Sequence, residues 1–156
     1  MHVTGNEKRK IRSTTRLYAI QALFQMEQVG LSSDKVVEEF VAHRFGEEYE
    51  EGQMSDGDEA LLKSIVEAVV NYQAYIDQLT DRALVKKWPI ARIDPTLRSL
   101  FRAAAAEITQ IKTPPKIVIT EYVALAHAFF PDGKEPNFVN AVLDHMAREA
   151  CPTEFN

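Results

Sequence analysis

The sequence has one cysteine, six glycines that never cluster, and no long apolar run. A single thiol, Cys151, cannot close an internal disulfide, so nothing calls for an oxidising compartment. Beside Pro152 near the chain end, Cys151 reads as a terminal residue rather than a nucleophile. Without a glycine-rich run there is no phosphate-cradling loop of the kind nucleotide-binding enzymes use. No stretch approaches the roughly 20 apolar residues needed to cross a bilayer. The basic N-terminus has no apolar segment behind it that would mark a secretory signal. A cytoplasmic protein with no membrane association is expected. The histidines (His2, His43, His127, His145) include no i, i+4 pair. Metal ligands would have to come from distant helices, so no metal and no cofactor is expected. With no catalytic arrangement in view, the chain is expected to work by binding, not as an enzyme.

What is present is an ordinary globular composition, 46% hydrophobic and 26% charged over 156 residues, which fits one domain. The charge is unevenly spread. Residues 1–16 hold Lys8, Arg9, Lys10, Arg12 and Arg16 against Glu7, a net of +4, so a chain of net charge −5 carries −9 elsewhere. The segment from Glu47 to Glu59 holds seven acids and no base. It lacks the alternating ligand spacing and the glycine of a calcium loop, and reads as a solvated loop. A focused basic end on an acidic body suggests a small anionic footprint. Arg12 and Arg16 are four apart and so share a helical face. Ser13 and Thr14, between them, bring hydroxyl donors suited to phosphate. The free N–H groups of a helix start would add to them.

Hydrophobic spacing is helical throughout. Leu17, Ile20, Leu23 and Phe24 lead to a stop at Gly30. Val36, Val37, Phe40, Val41 and Phe45 form a second helix ended by Gly46. Leu62, Ile65, Val69, Tyr72, Ile76, Leu79 and Ala83 alternate spacings of three and four, the seam of one long helix. Ser55 and Asp58 resemble a capping box at its start, and Trp88-Pro89 stops it. Asp94-Pro95 opens the next helix, with Leu97, Leu100, Phe101, Ala104, Ile108 and Ile111 inside, and Thr113-Pro114-Pro115 breaks it. Ile117-Val118-Ile119 reads as a short extended piece before a helix from about Thr120. A loop from Pro131 to Pro136 precedes a last helix with Val139, Val142, Leu143 and Met146 inside. The expectation is an all-α, single-domain helical bundle of about seven helices. A basic arm is expected over residues 1–11, the helical domain over 12–150 and a tail over 151–156.

Five blocks carry a family resemblance. They are residues 19–25 behind the basic cluster, residues 74–79, and Arg92-Ile93-Asp94 with Arg98, Arg102, Ala103, Glu107 and Ile108. Residues 116–126 and Phe138-Val139-Asn140-Ala141-Val142-Leu143-Asp144 complete the set. Their order and spacing resemble the NusB transcription antitermination family, whose last block is usually Phe-Val-Asn-Gly-Val-Leu-Asp. The resemblance implies two small packed helical bundles. It implies a non-enzymatic regulator that binds single-stranded boxA RNA of ribosomal RNA transcripts jointly with NusE, a small-subunit ribosomal protein, in the RNA polymerase antitermination complex. Carried onto this chain, its RNA contacts fall on Arg12, Ser13, Thr14, Arg16 and Phe138, with Lys8, Arg9 and Lys10 as upstream charge. An aromatic ring such as Phe138 can stack on an unpaired base while cations track the backbone. The chain departs from the family pattern at Ser13 and Thr14, where arginine is common, and at Ala68, Thr120 and Ala141.

Three other readings compete. The same helical domain fronts some ribosomal RNA cytosine methyltransferases, which requires a following Rossmann-like domain where this sequence ends at Asn156. A DNA-binding helix-turn-helix needs a basic recognition helix, for which Arg98 and Arg102 are too few. A structural homodimer is possible if the seam of the long helix faces outward.

Overall fold

The structure, a computed structural model, describes residues 4–49, 52–53, 56–84 and 89–155. Among these it is all-α apart from one two-rung antiparallel ladder. Its helices are α1 (Gly5–Val29), α2 (Ser33–His43), α3 (Glu59–Ala83), α4 (Pro95–Ala106), α5 (Pro115–Phe129) and α6 (Glu135–Ala150). Six helices stand where about seven were expected, because the remaining turns are 3-10 (Ile90–Arg92, Pro152–Phe155) or π-helical (Glu107–Ile111). The ladder pairs Glu48 with Gln53 and Tyr49 with Gly52 inside the acidic segment read as loop. The chain divides into two compact units, Met1–Glu67 and Ala68–Asn156.

In the first unit, α1 begins well before the boundary drawn from composition. Thr4 caps it by accepting the Glu7 N–H (3.1 Å), and Thr4-Gly5-Asn6-Glu7 is itself a T-x-x-E capping signature. Lys8, Arg9 and Lys10, expected in an arm ahead of the helix, are therefore helical. Gly30 ends the helix in the left-handed region (φ 73°), its N–H bonded to the Met26 carbonyl. The core of this unit gathers Tyr18, Ile20, Leu23, Val36, Phe40, Leu62 and Ile65. Phe24, expected inside, is 38% exposed, since one helical step beyond Leu23 turns it away from that core. Phe45 lies past the end of α2, where its ring stacks on Tyr18 at 4.9 Å. Gly57 faces that same ring, and a side chain there would collide with it.

Ser55 lies outside the described residues; Asp58 caps α3, its carboxylate accepting the Leu61 N–H (3.0 Å). The seam Leu62, Ile65, Val69, Ile76 and Leu79 is buried, as expected. That core role removes the outward seam on which a structural homodimer would rest. Tyr72 departs from it: its backbone is non-helical (φ −124°, ψ 23°), and the side chain is 48% exposed. The irregular residue lets the apolar register run from Val69 to Ile76 without it.

In the second unit, Asp94 caps α4 through the Thr96 and Leu97 N–H groups (2.7 and 3.3 Å), with Pro95 in the first turn. The run Ala103 to Ala106 is wholly buried, and such small side chains allow close helix packing. A π-helical segment follows, closed by Lys112 in the left-handed region (φ 66°). Its first residue, Glu107, is fully buried, and its carboxylate accepts the Tyr122 hydroxyl (2.6 Å) and the Thr113 hydroxyl (2.9 Å). The extended piece expected at Ile117-Val118-Ile119 is helical. Pro114-Pro115 both ends one helix and starts the next, with Pro115 in the first turn of α5. A proline there loses no helical hydrogen bond, and packing of Val118 outweighs β-branched preference.

Candidate nucleic-acid interface

The basic residues occupy the first turns of α1, and their exposure sorts them. Every residue from Gly5 to Lys10 is exposed, and so is Arg12. Lys8 and Arg12, four apart, share a face, while Arg9 and Lys10 spread charge around the helix. Ser13 and Thr14 are half-buried. The helix starts at Gly5, so the N–H groups of Ser13 and Thr14 lie inside it; the open helix start expected beside them sits further upstream.

Arg16 differs. It stands one turn beyond Arg12 on the same face, yet it is 4% exposed and already has an interaction partner inside the chain. The face passes from solvent into the core between these two residues. Thr15, beside it, is fully buried, as are Tyr18 and Ala19 just beyond. Arg16 as placed cannot reach a phosphate in solvent, whereas Arg12 can.

Two side chains of α1 hold the connector between α2 and α3. The Tyr18 hydroxyl donates to the Arg44 carbonyl (3.2 Å) and accepts the Gly46 N–H (3.3 Å). Thr15 Oγ1 donates to the Ile11 carbonyl (2.6 Å) and accepts the Asp58 N–H (2.8 Å). A groove of 320 Å³ also lies in this unit, with Val37 and Val41 in its lining and Asp34, Glu38, Glu59 and Glu67 around Lys63. Its sign is wrong for a nucleic-acid backbone.

Phe138 sits in the first turn of α6, in the second unit. It is half-buried, its ring edge-on to Phe101 at 5.9 Å between centroids. Pro136 and Val139, on either side, are buried. Lys134 and Ala141 share a face with Phe138 by helical spacing, and both are exposed; Asn137, also exposed, is one step round the helix. Lys134 is not among the residues expected from the sequence; its i−4 offset from Phe138 is the signal that could have found it.

The two arginines of α4 are committed internally. Arg102 forms a two-pronged pair with Asp77 (3.0 and 2.9 Å). Arg98 donates to the carbonyls of Ile90 and Ile93 (3.0 and 3.1 Å), bracing the turn ahead of α4. That use leaves α4 without the basic face of a DNA-recognition helix.

A family model described as the NusB family matches residues 13–148. The chain belongs to the NusB family. It is 42% identical to the transcription antitermination protein NusB of Granulibacter bethesdensis, over 96% of this chain and 95% of that protein. Its fold matches a solved NusB structure from T. maritima with a TM-score of 0.73 and 25% identity, covering 92% of this chain and 96% of that one. It also matches a chain in a crystal structure of the antitermination factors NusB and NusE in complex with dsRNA. There the TM-score is 0.73 and the identity 20%, over 94% of this chain and 99% of that one, a likeness of fold. Among the described residues no helix is long and apolar enough to cross a membrane, and no group of three His, Cys, Asp or Glu side chains could hold a metal ion.

Proposed function

We propose that this protein is a transcription antitermination factor acting in the cytoplasm by binding, not by catalysis. It holds boxA RNA of ribosomal RNA transcripts together with NusE and so joins the RNA polymerase antitermination complex. The observation that carries the reading is the exposed basic start of α1 on an otherwise acidic chain. Lys8, Arg9, Lys10 and Arg12 offer phosphate contacts that no core interaction consumes, and Ser13 and Thr14 flank them with hydroxyls. Arg16 anchors the turn rather than touching RNA. Phe138 supplies an aromatic face, with Lys134 on the same side of the helix. Relatives named transcription antitermination proteins, matched along nearly their whole length, support this over the front part of a longer methyltransferase.

The acidic body opposes RNA, so the basic turn alone gives modest affinity. A partner that adds its own RNA contacts raises affinity by linkage, since each ligand then favours the other. The test titrates labelled boxA RNA into this protein, into NusE and into the mixture. The mixture is expected to bind tighter than either protein alone, with duplex RNA competing less well than single strand. Equal affinity for the mixture and for this protein alone would overturn the cooperative reading.

A further inference from the structure

We propose that Thr15 is a positioning residue that aims the RNA-binding turn of α1. This rests on the reading that the turn holds RNA. The Thr15 hydroxyl reaches back one turn to the Ile11 carbonyl (2.6 Å), a bond that spans Arg12, Ser13 and Thr14. The same oxygen accepts the N–H of Asp58, 43 residues later (2.8 Å). Both partners are backbone groups, so no side-chain rotation at Ile11 or Asp58 breaks either bond. Asp58 is itself fixed, because its carboxylate caps α3 at the Leu61 N–H.

Thr15 is thus a buried fixed point behind the basic turn. Upstream, nothing from Gly5 to Lys10 is covered, and Ile11 is half-buried. Downstream, Thr15 and Arg16 are buried and Tyr18 is hydrogen-bonded to the far end of the α2–α3 connector. A threonine bonded to the carbonyl four residues back bends a helix locally. Here that bond is tied to a second segment through the Asp58 N–H, which sets the direction in which Lys8 and Arg12 leave the unit. A turn held in its binding direction loses less freedom when RNA binds.

Two other buried threonines make the same backward bond, Thr80 to the Ile76 carbonyl (2.8 Å) and Thr109 to the Ala105 carbonyl (2.7 Å). They lie far along the chain from the basic turn and serve as controls. The experiment compares boxA RNA affinity of Thr15→Val, Thr15→Ser, Thr80→Val and Arg12→Ala with the parent, below the unfolding temperature of each. Thr15→Val keeps the shape and removes the hydroxyl. It is expected to weaken RNA binding about 3- to 10-fold. Thr15→Ser should restore it, and Thr80→Val should lower the melting temperature with RNA affinity unchanged. Parent-like binding by Thr15→Val, or an equal loss in Thr80→Val, would overturn the inference. Parent-like binding by Arg12→Ala would overturn the RNA reading of α1 and this inference with it, whereas loss in Arg12→Ala alone would overturn only the role of Thr15. One readout needs no variant: the Asp58 amide should exchange more slowly with solvent when boxA RNA is bound, and unchanged exchange would count against the coupling.

Discussion

The starts of α1 and α6 carry the residues proposed to hold RNA, and they are built in opposite ways. The start of α1 is a solvated cationic turn in which no residue from Gly5 to Lys10 is covered. The start of α6 is half core: Phe138 leans on Phe101 and lies between buried Pro136 and Val139. Charge at the first can be removed with little consequence for folding. An aromatic at the second cannot be removed without disturbing the unit that holds it. Recognition and stability are therefore separable at one helix start and entangled at the other, and Arg16 marks where the first becomes like the second.

Arg16 gives the largest expected effect. Removing a buried, partnered charge strands its partner, so Arg16→Ala should lower folding stability by about 3 kcal/mol. Arg12→Ala should leave stability within about 0.5 kcal/mol, as exposed substitutions do. Denaturant melts of the two variants check this, and equal melts would erase the boundary between the two arginines. Next comes Phe138→Ala. A fully buried ring would cost about 3–5 kcal/mol of stability, and this half-buried one should cost about 2 kcal/mol. RNA binding of the folded protein should weaken by about 1–3 kcal/mol, the value of stacking one base. Strong destabilisation with RNA affinity intact would reduce Phe138 to a packing residue. Tyr122→Phe, which removes a donor from buried Glu107, should cost about 1–3 kcal/mol of stability, and RNA affinity measured on the folded variant should not change. The smallest effect belongs to Ser13→Ala combined with Thr14→Ala. Each neutral hydroxyl bond is worth about 0.5–1 kcal/mol, so filter-binding affinity should fall about 5- to 30-fold, with the salt dependence unchanged.

The parts legible in the sequence were those with a local cause. Gly30 and Asp94-Pro95 punctuate helices through their own backbone preferences, and the three-four seam of α3 marks its buried face. Thr4 and Glu7 carried an equally local signal that the basic charge obscured, which is why the first turns of α1 read as an arm. Other features depend on partners distant in sequence. The bond from Thr15 to Asp58 arises only when α1 meets the connector to α3, and the burial of Arg16 is likewise set by packing that its place in a basic run does not show. The π-helical turn at Glu107 is fixed by Tyr122 and Thr113, neither of which marks it in the sequence. Ile117 to Ile119 read as extended because β-branched residues prefer strands, yet Pro115 had already set a helical start. Charge thus pointed to the candidate site, while tertiary packing decided which of its cations reach solvent.

The salt dependence of boxA RNA binding tests the central claim most directly. For single strands, log K falls against log salt by about 0.7 per neutralised phosphate. If Lys8, Arg9, Lys10 and Arg12 each meet a phosphate, replacing all four by alanine should flatten the slope by up to about 2.8. The parent would then lose about 50-fold more affinity than the variant between 50 and 200 mM salt, on that same relation. Melting curves should stay within about 0.5 kcal/mol of each other, because these side chains are exposed. An unchanged slope in a variant that folds as the parent does would show that the exposed turn of α1 is not where this protein holds RNA.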